Sequence, residues 1–195
     1  MRLPISLRAS LAVRHRRKGV GMIEDPVLED LAEKLTGSRL TIVSYAADMR
    51  GFVFEGAFEK DNPRGPLELF LHVQCAWRIE LANRIVTGNF DWYEPADAAE
   101  DMGEDWDPAT GGSLQDMRLR EMLRDSSVAG PVRSQEKDFR VSKVDVTCFG
   151  DLDVCFDNGF TLRLFPSRSR SESWRLFVGG DTGAHFVWEP PDSDL

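Results

Sequence analysis

The chain of 195 residues carries 33 Asp and Glu against 24 Lys and Arg, a formal net charge of −9, with 42% apolar and 29% charged residues. That composition excludes a fibre and a wholly disordered chain, and no stretch approaches the ~18 consecutive apolar residues of a membrane helix. The charge is unevenly placed: residues 1–21 hold six bases and no acid, which leaves −15 on residues 22–195. So acidic a body repels nucleic acid phosphates and favours a basic protein partner.

Residues 1–21 fail as a signal peptide. Arg8 interrupts the apolar stretch, and Arg14 to Lys18 follow where small residues belong. They read as a basic disordered tail or an over-extended start before Met22. One domain is expected over 22–189, with an acidic tail at 190–195. Asp25 is a good N-cap, Pro26 suits the first helical position, and Gly37 lies where a left-handed C-cap residue is wanted. Val27, Leu28, Leu31 and Leu35 give the intervening helix an apolar stripe. Strands follow at 39–46 and 51–58, broken by a turn at Asp48-Met49-Arg50-Gly51.

Leu67 to Ile79 alternates strictly. The odd positions from Leu67 to Ile79 are apolar, and the even ones include His72, Gln74 and Arg78. Period two over thirteen residues predicts one strand, or two joined by a bend, with one face buried. Ile85 to Gly88 reads as a short return strand. From Glu94 to Asp107 seven acids stand without a base, a solvated acidic loop that runs on to 112. Ser113 then caps a second helix, with Asp116 completing a Ser-x-x-Asp signal and Leu114, Met117, Leu119, Met122 and Leu123 as its apolar residues.

The last third reads as antiparallel strands. Around Asp157-Asn158-Gly159, a two-residue Asn-Gly turn would mix apolar and polar groups on both faces. A three-residue loop with Gly159 left-handed instead pairs Phe156 with Phe160, Val154 with Leu162, Leu152 with Leu164 and Asp153 with Arg163. Trp174 to Val178 and Ala184 to Trp188 supply the final strands. The expected fold is α+β, a mainly antiparallel sheet of meanders and hairpins with two helices packed on it.

The inventory for chemistry is thin. His15, His72 and His185 are the only histidines, and Cys75, Cys148 and Cys155 are odd in number without paired spacing. No metal site, disulfide framework, cofactor motif or catalytic residue emerges, and the reading leans against an enzyme. If Cys148 and Cys155 share a strand they stand roughly 23 Å apart, beyond disulfide reach. Reduced thiols fit a cytoplasmic protein.

Two groups of residues remain as candidates. His72, Gln74 and Arg78, with Arg175, would suit a small acidic ligand: Arg78 to grip a carboxylate or phosphate, His72 as acid or base. The plainer alternative is a polar strand face under the acidic loop. Phe90, Trp92, Tyr93 and Trp106 flank that loop, and with Asp101, Glu104 and Asp105 they make an aromatic-edged acidic surface suited to a protein partner. They would equally pin the loop to the domain. The serines and arginines of 163–175 and the glycines of 179–183 read as turns, since neither has the lysine and helix of a phosphate loop.

The segments Leu71 to Arg78, Phe156 to Pro166 and Glu172 to Phe177 resemble small uncharacterised bacterial proteins. Some of these are suspected of being immunity or accessory proteins. The likeness covers residues 38–188, brings no catalytic residues with it and implies a bacterial cytoplasmic origin. The functional expectations follow in order: a protein-binding module, extending to an immunity protein or inhibitor of a basic toxin; a small-ligand binder or minor enzyme using His72, Gln74 and Arg78; and a structural homo-oligomer.

Overall fold

The computed structural model describes residues 25–56, 66–97, 106–110, 112–180 and 184–190. Helix α1 (Pro26–Leu35) begins as its sequence dictates: the Asp25 carboxylate accepts from the Val27 and Leu28 amides at 2.8 and 3.1 Å. It ends at Thr36, and Gly37 takes φ +85°. Leu28, Leu31 and Leu35 are buried while Val27 is 40% exposed, so the stripe is narrower than the sequence suggested. Replacing Asp25 by Ala is expected to cost about 1 kcal/mol, read as a lower denaturant midpoint at unchanged slope.

Among the described residues, eleven strands form two antiparallel sheets. They are β1 (Arg39–Ala46), β2 (Met49–Glu55), β3 (Glu68–Val73), β4 (Ala76–Leu81), β5 (Arg84–Gly88), β6 (Val132–Arg133), β7 (Val141–Val146), β8 (Leu152–Phe156), β9 (Phe160–Phe165), β10 (Trp174–Val178) and β11 (His185–Trp188). One sheet runs β11-β10-β3-β2-β1-β6 and the other β5-β4-β9-β8-β7. The long alternating segment joins them. β3 lies in the first sheet, the chain breaks pairing at Gln74–Cys75, and β4 continues in the second. Its odd residues stay on the core side throughout, so Leu69, Leu71, Val73, Cys75, Trp77 and Ile79 are all buried.

A single apolar cluster draws on both sheets and both helices. Trp174, Phe52, Phe54 and Phe139 are its largest fully buried side chains, and the Trp77 ring meets Phe52 edge to face at 5.4 Å. Helix α1 packs against β10 and β11 of one sheet and β7 of the other. Helix α2 (Leu114–Leu123) packs against β6 and β5. Each helix thus contacts both sheets. The fold is α+β and mainly antiparallel β.

The β8–β9 hairpin takes the three-residue loop required by burial. Leu152 faces Leu164, Asp153 faces Arg163, Val154 faces Leu162, and Gly159 adopts φ +87°. The β1–β2 hairpin differs from expectation. Ala46 pairs with Met49, so the turn is Ala47–Asp48 with Ala47 at φ +55°, and Met49, Arg50 and Gly51 belong to the strand. Residues 1–21, most of the acidic loop and the tail after Pro190 lie outside the described residues. Among the described residues no helix is long and apolar enough to cross a membrane.

Candidate functional site

Moving the turn by two residues puts Arg50 on the core-facing parity of β2, in line with Phe52 and Phe54. Arg50 is 5% exposed, and a cation so placed requires partners. The Asp116 carboxylate lies 3.6 Å from one guanidinium nitrogen, and a second nitrogen donates to the Gln115 side-chain carbonyl. The faces of Trp92 and Tyr45 complete the enclosure, with ring centres 4.8 and 5.4 Å from the guanidinium carbon. Burial still pulls the Arg50 pKa down to about 10, against the opposing pull of Asp116 and Tyr45. It also pushes the Asp116 carboxyl above its ordinary range, although Arg50 and Arg120 oppose the shift.

Local sequence explains how these groups meet. Ser113 caps α2 by accepting from the Asp116 amide at 3.1 Å, which turns Gln115 and Asp116 of the first helical turn inward. Asp116 therefore serves Arg50 as well as carrying the capping signal. Gln115 also donates to the Gly88 carbonyl at 2.6 Å, tying α2 to the end of β5. Directly after Gly88 the chain makes a 3₁₀ turn over Asn89–Tyr93. Its start is fixed by Asp91, which accepts from Thr87 Oγ1 at 2.9 Å and the Gly88 amide at 3.1 Å. Asn89 accepts from the Trp77 amide at 3.2 Å, and Trp92 packs on Tyr45 at 4.5 Å between ring centres.

The outcome for the aromatics is divided. Trp92 is half-buried against Arg50, whereas Phe90 is 75% and Tyr93 65% exposed on the same turn. Trp106 is half-buried, with its indole nitrogen buried and unbonded among the described residues. Asp101, Glu104 and Asp105 lie outside the described residues. The segment bearing them leaves and returns through one neck. Pro95 pairs with Ser113, Ala96 donates to the Gly112 carbonyl at 2.6 Å, and Leu114 donates to the Glu94 carbonyl at 2.7 Å.

His72, Gln74, Arg78 and Arg175 do not converge as one group. His72 lies on the outer face of the first sheet, opposite Gly51 and Arg175, with its ring edge-to-face on Phe177 at 4.9 Å. Burial and then the neighbouring Arg175 hold its pKa below the usual histidine range. Arg175 is engaged by Glu172 through two donors. Arg78 lies in the second sheet, bonded to Glu80 at 2.5 Å and over the Phe165 ring at 4.7 Å. Gln74 occupies the break between the sheets and faces a different space, beside Tyr45, Trp92 and Arg50. The change of sheet at Gln74–Cys75 separates residues that the alternation had placed on one surface. The three cysteines are free, and burial pushes the Cys75 thiol up to about 11.

Against known proteins, the chain matches no family model, no curated relative and no solved structure. The resemblance to small bacterial immunity or accessory proteins therefore rests on its three sequence segments alone.

Proposed function

We propose that this protein is a protein-binding module whose partner is basic, and that where the partner is a toxin it acts as an inhibitor or immunity protein. The observation that carries this reading is the Asn89–Tyr93 turn. It holds Phe90 and Tyr93 largely in water on a rigid base, directly before a run of seven acids and no base. Large exposed aromatics on an anchored element, bordered by charge of one sign, are the composition of an interface centre with a charged rim. The rim charge would speed encounter with a basic surface, and the aromatics would set the lifetime of the complex.

The test is affinity capture from source lysate with the full chain, followed by measured affinity for the captured protein. The expected result is one stoichiometric basic partner whose retention falls as salt rises. Phe90→Ala with Tyr93→Ala should weaken binding by about a hundredfold, the scale of two interface anchors at above 1 kcal/mol each. Asp101→Asn, Glu104→Gln and Asp105→Asn together should mainly slow association and flatten its salt dependence. An affinity unmoved by either set of changes would remove the reading. A concentration-dependent dimer lost with Phe90 and Tyr93 would replace it by self-association.

A further inference from the structure

Behind the exposed aromatic turn lies a cleft of about 410 Å³. Its walls come from the β1–β2 turn, the Gln74–Trp77 crossover, the Asn89–Tyr93 turn and residues 167–168. The volume falls within the range of small-molecule sites, and the open lining mixes aromatic rings with polar groups. Tyr45 and Trp92 offer ring surface, and their stack with Arg50 fixes both rings.

The polar groups fall into two sets. Arg50 and Gln115 are committed to one another, to Asp116 and to Gly88, so they shape the floor and offer no net charge. Gln74 and Arg168 are uncommitted. The Gln74 side chain, at the break between β3 and β4, has no hydrogen-bond partner among the described residues. Arg168 is exposed at the cleft without an ion-pair partner among the described residues. Asn89 has given its carbonyl to Trp77, which leaves its NH₂ as a donor. Asp48, on the β1–β2 turn, is the one carboxylate in the lining among the described residues, and its charge disfavours an anion at that end of the cleft.

Two aromatic rings, two amide donors and a guanidinium with no ion-pair partner among the described residues define a ligand class. We propose that this cleft binds a small aromatic carboxylate, with the ring against Trp92 and Tyr45 and the carboxylate on Arg168, Gln74 and Asn89. Guanidinium and amide donors suit such an anion because charge-assisted bonds are about twice as strong as neutral ones. The cleft borders the proposed partner surface and shares Phe90 and Tyr93 with it, but the carboxylate contacts assigned to Arg168, Gln74 and Asn89 need neither a basic partner nor the acidic segment.

Calorimetric titration of the full chain with indole-3-carboxylate and 4-hydroxybenzoate, and with their primary amides as uncharged probes, tests the assignment. Saturable one-to-one binding of at least one acid is expected at a Kd of about 1 mM or tighter. The matching amide should bind at least tenfold more weakly. Arg168→Gln, at an exposed position, should weaken the acid about tenfold and leave the amide unchanged. No saturable binding of either acid overturns the proposal. So does an amide that binds as well as its acid, or an affinity for the acid that Arg168→Gln leaves intact.

Discussion

Replacing Arg50 by Met is expected to destabilise the fold by about 3–5 kcal/mol, the loss that follows when one member of a buried ion pair is removed and the other stays behind. The stranded group is Asp116, whose carboxyl is already raised by burial with Arg50 present. Without the guanidinium it has only Arg120 to oppose that burial. Met roughly preserves volume between Trp92 and Tyr45, so the change measures charge more than packing.

The sign of the pH dependence follows from the raised carboxyl. A carboxyl with a folded pKa above its unfolded value stabilises the folded state at low pH. That contribution is complete below the unfolded value of 3.8 and is lost as pH rises through the folded pKa. Arg50→Met should therefore be most damaging near neutrality, and its gap to the parent should narrow as pH falls toward 4. Urea titrations at about pH 7.5 and about pH 4.5 read this directly. The double variant Arg50→Met with Asp116→Asn should regain part of the stability and lose the pH dependence, because the buried charge is gone from both sides. An Arg50→Met variant with the same deficit at both pH values would show that the stack with Trp92 and Tyr45, not the ion pair, is what the arginine supplies.

Why this cation was not legible from the sequence is a matter of turn chemistry. Arg50-Gly51 after Asp48 has the composition of a turn, whereas the turn that forms, Ala47–Asp48, puts an alanine at φ +55°, where side chains are disfavoured. The signal was present one step further on: in a strand starting at Met49, Arg50 shares parity with Phe52 and Phe54 and must be buried. By contrast, the β8–β9 register was fully legible, because only one loop length keeps Leu152, Val154, Leu162 and Leu164 on the same face. The Leu67–Ile79 alternation was legible as burial but not as topology. Its parity runs unbroken through Gln74–Cys75, so periodicity gives no sign that the strand changes sheets there. The aromatic turn was flagged by composition, but the division between Trp92, which clamps Arg50, and Phe90 and Tyr93, which face water, depends on where α2 and β2 lie.

Gly150→Ala is expected to cost about 2–5 kcal/mol, and two separable effects make up that figure. Gly150 sits at φ +81° in the turn between β7 and β8, a conformation that costs an L-residue about 1–2 kcal/mol. A Cβ there would also stand 2.0 Å from the Trp188 ring, so the ring or the turn must move. Moving the turn disturbs a third group, since the Gly150 carbonyl accepts from the Trp174 indole at 2.8 Å, and Trp174 is fully buried between Trp188 and Phe186. Gly130→Ala is the control. It has φ +75° and nothing within 4 Å of its added carbon, so it should cost only the backbone part. Trp188→Leu in the Gly150→Ala background should recover part of the loss, giving a coupling of the sign that relieved overlap requires. Equal losses for the two alanine variants would mean that the tryptophan yields freely and that backbone conformation alone fixes the glycine.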